Sequence, residues 1–175
     1  MKEKPVIIYR GSVAYKNWTF GLAATDRGLC RVLQPHEPLQ ALENWAARNF
    51  PASLLVPDDH RLTPYAAQFE EYFTGSRKNF DLPLDLHGTV FQLSVWKALL
   101  QIPYGTTQNY SGIAAVIGRP RAIRAVGAAN GANPLPVVVP CHRVIGKNGL
   151  LNGYRGGLEV KKELLSLEGI TGIRK

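Results

Sequence analysis

Pro140-Cys141-His142-Arg143 sets a thiol between a residue that fixes the backbone and two side chains that carry or accept protons. A cysteine ending a β-branched run such as Val137-Val138-Val139 is ordinarily a small buried hydrophobe, and that is the reading His142 and Arg143 argue against. A free thiol has a pKa of about 8.5, and an adjacent cationic or hydrogen-bonding environment brings thiolate within reach at neutral pH, so the tetrad points to a nucleophile. Geometry raises one obstacle. Consecutive residues of an extended strand face opposite ways, so His142 needs a turn or a bridging water to act on the Cys141 sulfur. Zinc is a poorer account, because four His and two Cys are scattered without a C-x-x-C or H-x-x-x-H cluster, and neither metal nor cofactor is expected.

Such a thiol needs elements to hold it and something charged to bring its substrate. Asn133-Pro134-Leu135-Pro136 leads into the apolar run, and a loop from Val144 to Gly157, with glycines at 146, 149, 153, 156 and 157, follows it. Upstream, Phe91, Val95, Trp96, Leu99 and Leu100 fall on one helical face that stops near Ile102-Pro103 and Gly105. A short helix Ser111–Ile117, a turn at Gly118 and a second helix from Arg121 to about Asn130, with Pro120 in its first turn, read as a helix-turn-helix. The second helix is expected to turn Ala122, Ile123, Val126, Gly127 and Asn130 inward and Arg121 and Arg124 outward.

Charge separates the two halves of this 175-residue chain. Residues 1–87 carry ten Lys or Arg against ten Asp or Glu, whereas residues 88–175 carry eleven against three, so the whole net charge of +8 lies in the second half. No acidic residue stands between Asp85 and Glu159, and Arg119, Arg121 and Arg124 crowd the turn and second helix. An excess confined in this way marks a surface for a polyanion such as nucleic acid, and on a helix-turn-helix the expected partner is DNA.

The first half alternates strand-like runs with turns: Val6 to Tyr9, Trp18 to Ala24, a Thr25–Gly28 turn, then Leu29 to Leu33. Two helical patterns follow, Leu39–Asn49 and about Pro64–Phe73, the second closed by Gly75. The expected fold is therefore an α/β (α+β) N-terminal domain with a small antiparallel sheet, residues 1–80, and a linker, 81–88. A mostly α C-terminal domain, 89–175, carries the helix-turn-helix and a buried cysteine loop. The start, Met1 to Gly11, lacks the apolar stretch of a secretory signal, two cysteines cannot build a disulfide framework, and no apolar run could cross a bilayer, so a cytoplasmic protein is expected. A monomer is the default.

In order and spacing, residues 90 to 169 resemble the O6-alkylguanine-DNA alkyltransferases. The resemblance rests on Pro140-Cys141-His142-Arg143-Val144, preceded by Arg124-Ala125-Val126-Gly127 and Asn133-Pro134 and followed by Gly153-Tyr154-Arg155-Gly156-Gly157 and Lys161 to Gly169. It implies a DNA-repair methyltransferase that moves an alkyl group from O6-alkylguanine in DNA to its own Cys141, once per molecule and without a cofactor. His142 would act through a water as base, Glu168 would orient it, and Asn133 would be the hinge between recognition helix and active-site loop. Arg124 would take the place of the flipped base, and Tyr110 would crowd the 3′ phosphate and help rotate the nucleotide outward. Ser111, Arg119 and Lys147 complete the expected DNA contacts; Tyr154, Arg155, Val144 and Pro136 are the expected substrate pocket. Flipping answers a physical need, since the O6 group of a stacked base is closed to a nucleophile. Without the resemblance, Glu168 beside Gly169 reads as a surface residue.

Two departures matter. Arg155 stands where some members have a serine, leaving side-chain donation to O6 in question, and Asn109 precedes Tyr110 where serine is common. The rival functions are a lesion-recognition relative that transfers nothing, a cysteine hydrolase and a helix-turn-helix regulator. The first lacks the acceptor cysteine, the second has no need of an acid-free basic half, and the third leaves the Cys141 motif unexplained. Activity on O4-alkylthymine and cooperative binding along DNA stay open.

Overall fold

The computed structural model describes residues 4–174 and divides into two compact units, 1–87 and 88–175. In the first unit β1 (Ile7–Tyr15), β2 (Trp18–Thr25) and β3 (Gly28–Leu33) form an antiparallel meander. After α1 (Leu39–Asn49), a short strand β4 (Leu54–Pro57) returns to pair parallel with β1, giving the order β3-β2-β1-β4, and α2 (Asp59–Phe73) follows. Sequence reasoning missed β4, whose four residues are too few to show a period. It also began α2 too late. Asp58 caps α2 by accepting the Arg61 amide at 2.9 Å, so the helix runs through Pro64 rather than starting there.

Alternation along the strands gives the sheet two covered faces. Ile8, Ala23 and Cys30 pack with Leu42, Trp45 and Ala46 of α1. On the other face Phe20 meets Phe73 of α2 at 5.3 Å, within a group of rings that includes Phe69, Tyr72 and Phe80. That is why β3 is buried along its whole length. Beyond α2, the backbone amide of Leu29 donates to Pro83 O and that of Asp85 to Leu29 O, and the buried Asp85 carboxylate accepts the Thr25 hydroxyl at 2.6 Å. Gly28 is obligatory there, at φ +147, because any Cβ would run into the Pro83 carbonyl.

The second unit opens with α3 (Val90–Leu99), set by a capping box in which Thr89 and Gln92 exchange side-chain and backbone bonds. β5 (Gln108–Asn109) leads directly into α4 (Tyr110–Val116), capped by Asn109, whose Oδ1 accepts the Gly112 amide at 2.7 Å. Gly118, at φ +70, turns the chain into α5 (Ile123–Gly131), and the Trp96 indole ties α3 to α5 by donating to Ala129 O at 2.8 Å. The helix-turn-helix differs from expectation at its second helix. Arg119 to Ala122 form the turn, Pro120 precedes the helix, and the buried face is Val126, Ala129 and Asn130, with Ile123 43% exposed. After a 3-10 turn, Cys141–Arg143, comes β6 (Val144–Ile145), parallel to β5, and then α6 (Leu158–Leu167). Among the described residues no helix is long and apolar enough to cross a membrane.

Candidate active site

Asn133, two residues past the end of α5, shapes the approach to the cysteine. Its amide nitrogen donates to Val139 O at 2.8 Å and its Oδ1 accepts the Leu135 amide at 2.9 Å, so one buried side chain closes the loop 133–139 from within. The loop is tight enough to hold Val137 at φ +76, a left-handed backbone that a β-branched residue adopts only under constraint from its surroundings. Pro136 bridges to Val139 inside the same loop and is buried.

Cys141 then begins the 3-10 turn instead of ending a strand. Strand alternation, the obstacle raised by the sequence, therefore does not apply. The His142 ring enters the interior and donates Nε2–H to Glu168 Oε1 at 2.8 Å, the carboxylate being an acceptor only. Nδ1 is thus the ring nitrogen that Glu168 does not engage. Glu168, far from being a surface residue, is 5% exposed just beyond α6. Arg143 binds the same carboxylate twice, from Nε to Oε2 at 2.8 Å and from Nη2 to Oε1 at 2.9 Å, and its Nη1 donates to Ile102 O at 2.6 Å. The Gly105 amide adds a fourth bond, to Oε2 at 3.1 Å. The carboxylate is a buried node that fixes the imidazole in one orientation.

Electrostatics assigns the resting protons. Burial holds the His142 pKa below its ordinary 6.5 despite the Glu168 bond, so the ring is neutral and in the form that accepts a proton. Burial also pushes the Cys141 thiol up from 9.0; Asn133, then the Arg155 and Lys161 charges, then Tyr154 pull the other way without overcoming it. The thiolate expected from the neighbouring cations is therefore not the resting form, because desolvation of an anion outweighs them. Cys141 has to be deprotonated as it reacts.

The other expected residues fall in two places. Tyr154 and Arg155 reach the neighbourhood of the thiol, and Val144 is fully buried with its carbonyl accepting the Lys161 ammonium at 2.6 Å. Arg155 donates to Asn133 O at 2.9 Å and Gly131 O at 3.4 Å, so its guanidinium is turned to the protein backbone. Arg119, Arg121, Arg124 and Lys147 are exposed. Tyr110, at the first turn of α4, lies across from Gly127 of α5, where an added Cβ would come within 3.9 Å of its ring. The Ser111 hydroxyl is spent on Asn109 Oδ1 at 2.7 Å, within the α4 cap. No group of three or more His, Cys, Asp or Glu suited to a metal occurs among the described residues.

Comparison with known proteins agrees over nearly the whole chain. Residues 8–86 match the family model for the 6-O-methylguanine DNA methyltransferase, ribonuclease-like domain, and residues 90–170 match that for the 6-O-methylguanine DNA methyltransferase, DNA binding domain. The inducible methylated-DNA–protein-cysteine methyltransferase of Bacillus subtilis is 52% identical over 96% of this chain and 94% of its own. The chain belongs to the 6-O-methylguanine DNA methyltransferase family. Among solved members, the Mycobacterium tuberculosis O6-methylguanine methyltransferase superimposes with a TM-score of 0.78 at 41% identity over 92% of each chain. The Mycobacterium tuberculosis OGT in complex with DNA gives 0.80 at 40% identity, over 93% of this chain and 92% of that one.

Two residues of this methyltransferase site hold positions that the sequence did not indicate: Arg143, read there only as a cation beside the thiol, and Lys161, given no role. Arg143 is the more readable in hindsight, since a guanidinium in a β-branched run is tolerated only with a buried partner. Lys161 is fully buried, donates to Val144 O and to Asn152 O at 3.1 Å, and is held at a pKa of about 8 by desolvation. Its signal was present: with Val160, Leu164 and Leu165 it lies on the inward stripe of α6, where a polar residue has a task.

Proposed function

We propose that this protein repairs alkylated DNA by taking the alkyl group from O6-alkylguanine onto Cys141, once per molecule. The observation that carries the reading is a buried Cys141 on the same 3-10 turn as a buried His142 whose ring is held by Glu168, itself bound twice by Arg143. The partner is double-stranded DNA. Arg119, Arg121, Arg124 and Lys147 meet its phosphates and groove, Arg124 fills the gap left by the extruded base, and Tyr110 crowds the backbone beside it.

In the step itself the Cys141 sulfur gives an electron pair to the alkyl carbon as the carbon–O6 bond breaks, its pair passing to guanine. The thiol proton moves by way of a water to His142, guanine takes up one proton, and the products are an S-alkyl cysteine and a restored guanine. A neutral imidazole is the form this needs, and Glu168 stabilises the imidazolium while it exists. A thioether has no good leaving group, so the protein is consumed. Tyr154, with the buried backbone at Val144 and Pro136, lines the pocket. The protein acts as a monomer in the cytoplasm, where the thiol stays reduced.

Intact-mass measurement before and after incubation with an O6-methylguanine duplex tests this. One methyl gained, mapped to the Cys141 peptide and lost in Cys141→Ala, is expected. Lesion-selective binding with no mass change would replace this reading with a non-transferring recognition protein, and repeated product formation at unchanged mass with a hydrolase.

A further inference from the structure

Arg155 is the pocket residue that the chemistry above leaves without a task. It sits in Gly153-Tyr154-Arg155-Gly156-Gly157, a segment whose glycines give the backbone freedom, so an outside tether has to fix it. Its guanidinium is half-buried and reaches to the end of α5, donating to Gly131 O at 3.4 Å and Asn133 O at 2.9 Å. Helix C-terminal carbonyls lack intrahelical partners and favour a cation, yet α5 has no basic residue in its own last turn. Arg155 supplies that cation from 24 residues along the chain. The bond to the Asn133 carbonyl ties it to the residue whose side chain closes the loop before Cys141, while its charge and its neighbour Tyr154 both act on the thiol.

We propose that Arg155 is a positioning residue that clasps the pocket loop to the end of the DNA-reading helix α5, so that the alkyl-accepting pocket is assembled only where that helix is seated. The inference rests on the alkyl-transfer reading. α5 bears Arg124 and ends at Gly131; the clasp starts there and ends beside Tyr154 at the sulfur. Arg155 therefore contributes no bond to O6, and a serine in its place would loosen the loop.

The test is R155Q and R155K, with label transfer from an O6-methylguanine duplex followed over a range of duplex concentrations and capture of Cys141 by iodoacetamide over a range of pH. For R155Q the saturating rate is expected to fall about 10- to 100-fold, the scale of a displaced catalytic geometry, with the half-saturating duplex concentration unchanged. Capture of Cys141 by iodoacetamide should shift to higher pH in R155Q, since one cation facing the thiol is gone while Lys161, Tyr154 and Tyr110 are unchanged. R155K should keep the capture profile of the wild type and recover only part of the transfer rate, having charge but not two donors at fixed spacing. A higher half-saturating concentration at an unchanged saturating rate would make Arg155 a DNA contact, and wild-type behaviour in both variants would remove the clasp. If circular dichroism shows R155Q unfolded, R155K decides alone, and a wild-type saturating rate in it overturns the proposal. A wild type that transfers no label overturns the alkyl-transfer reading and the clasp with it, whereas active wild type with equally active variants overturns the clasp alone.

Discussion

Glu168→Gln exchanges one oxygen for an amide in the buried node and changes almost nothing in volume. Oε1 accepts from His142 Nε2 and Arg143 Nη2, and Oε2 from Arg143 Nε and the Gly105 amide. Whichever way the new amide turns, its NH2 faces two donors, so two bonds are lost and the Arg143 guanidinium, 8% exposed, keeps no counter-charge. Breaking a buried pair from one side costs about 3–5 kcal/mol, because the surviving charge stays desolvated. That loss should appear in urea unfolding followed by circular dichroism at neutral pH. The rate of alkyl transfer should fall by about 10²- to 10⁴-fold as His142 loses its orientation and the carboxylate that stabilises its protonated form. Glu168→Asp, which keeps the charge on a shorter arm, should regain more stability than rate. A Gln variant within about 1 kcal/mol of the wild type, at a wild-type rate, would refute the reasoning, since so small a change is what an exposed ion pair gives.

Further outcomes follow from the same geometry. Because His142 titrates below its unfolded value near 6.5, the unfolded chain takes up a proton that the folded chain refuses as pH falls through that value; stability should drop on the acid side, and less steeply in His142→Gln. Lys161, at about 8 folded against 10.5 unfolded, acts in a higher window: between these values the unfolded chain binds more protons, so the wild type should gain stability over Lys161→Met as pH rises through it, by urea unfolding. Asn133→Ala strips two buried bonds and should cost about 2–4 kcal/mol in the same assay, with transfer lost as the loop before Cys141 opens. Cys30, buried and pushed up to about 12, should resist iodoacetamide in the folded protein at neutral pH and react once urea unfolds it, as peptide mapping would show.

The legible parts of this protein were those with a local signature. Helix α1 runs over the residues its period indicated, and the helix-turn-helix shows in Gly118 and the basic run after it. Cys141 and His142 were legible as a pair because a histidine and an arginine sit badly in a β-branched run. Their geometry was not, since a 3-10 turn of three residues has no period to read. Glu168 and Lys161 act on residues 25 and 17 positions away, and only packing of α6 brings them there. The thiol's protonation escaped for another reason: charge near Cys141 is visible in sequence, whereas the burial that overrides it is a property of the folded interior.

The central claim is that Cys141 keeps what it removes. Protein mixed with an excess of duplex carrying labelled O6-methylguanine should bind label to a plateau near one equivalent and then stop, with further lesions left intact. Label that never becomes attached to the protein, or lesion loss that continues past one equivalent, would contradict it.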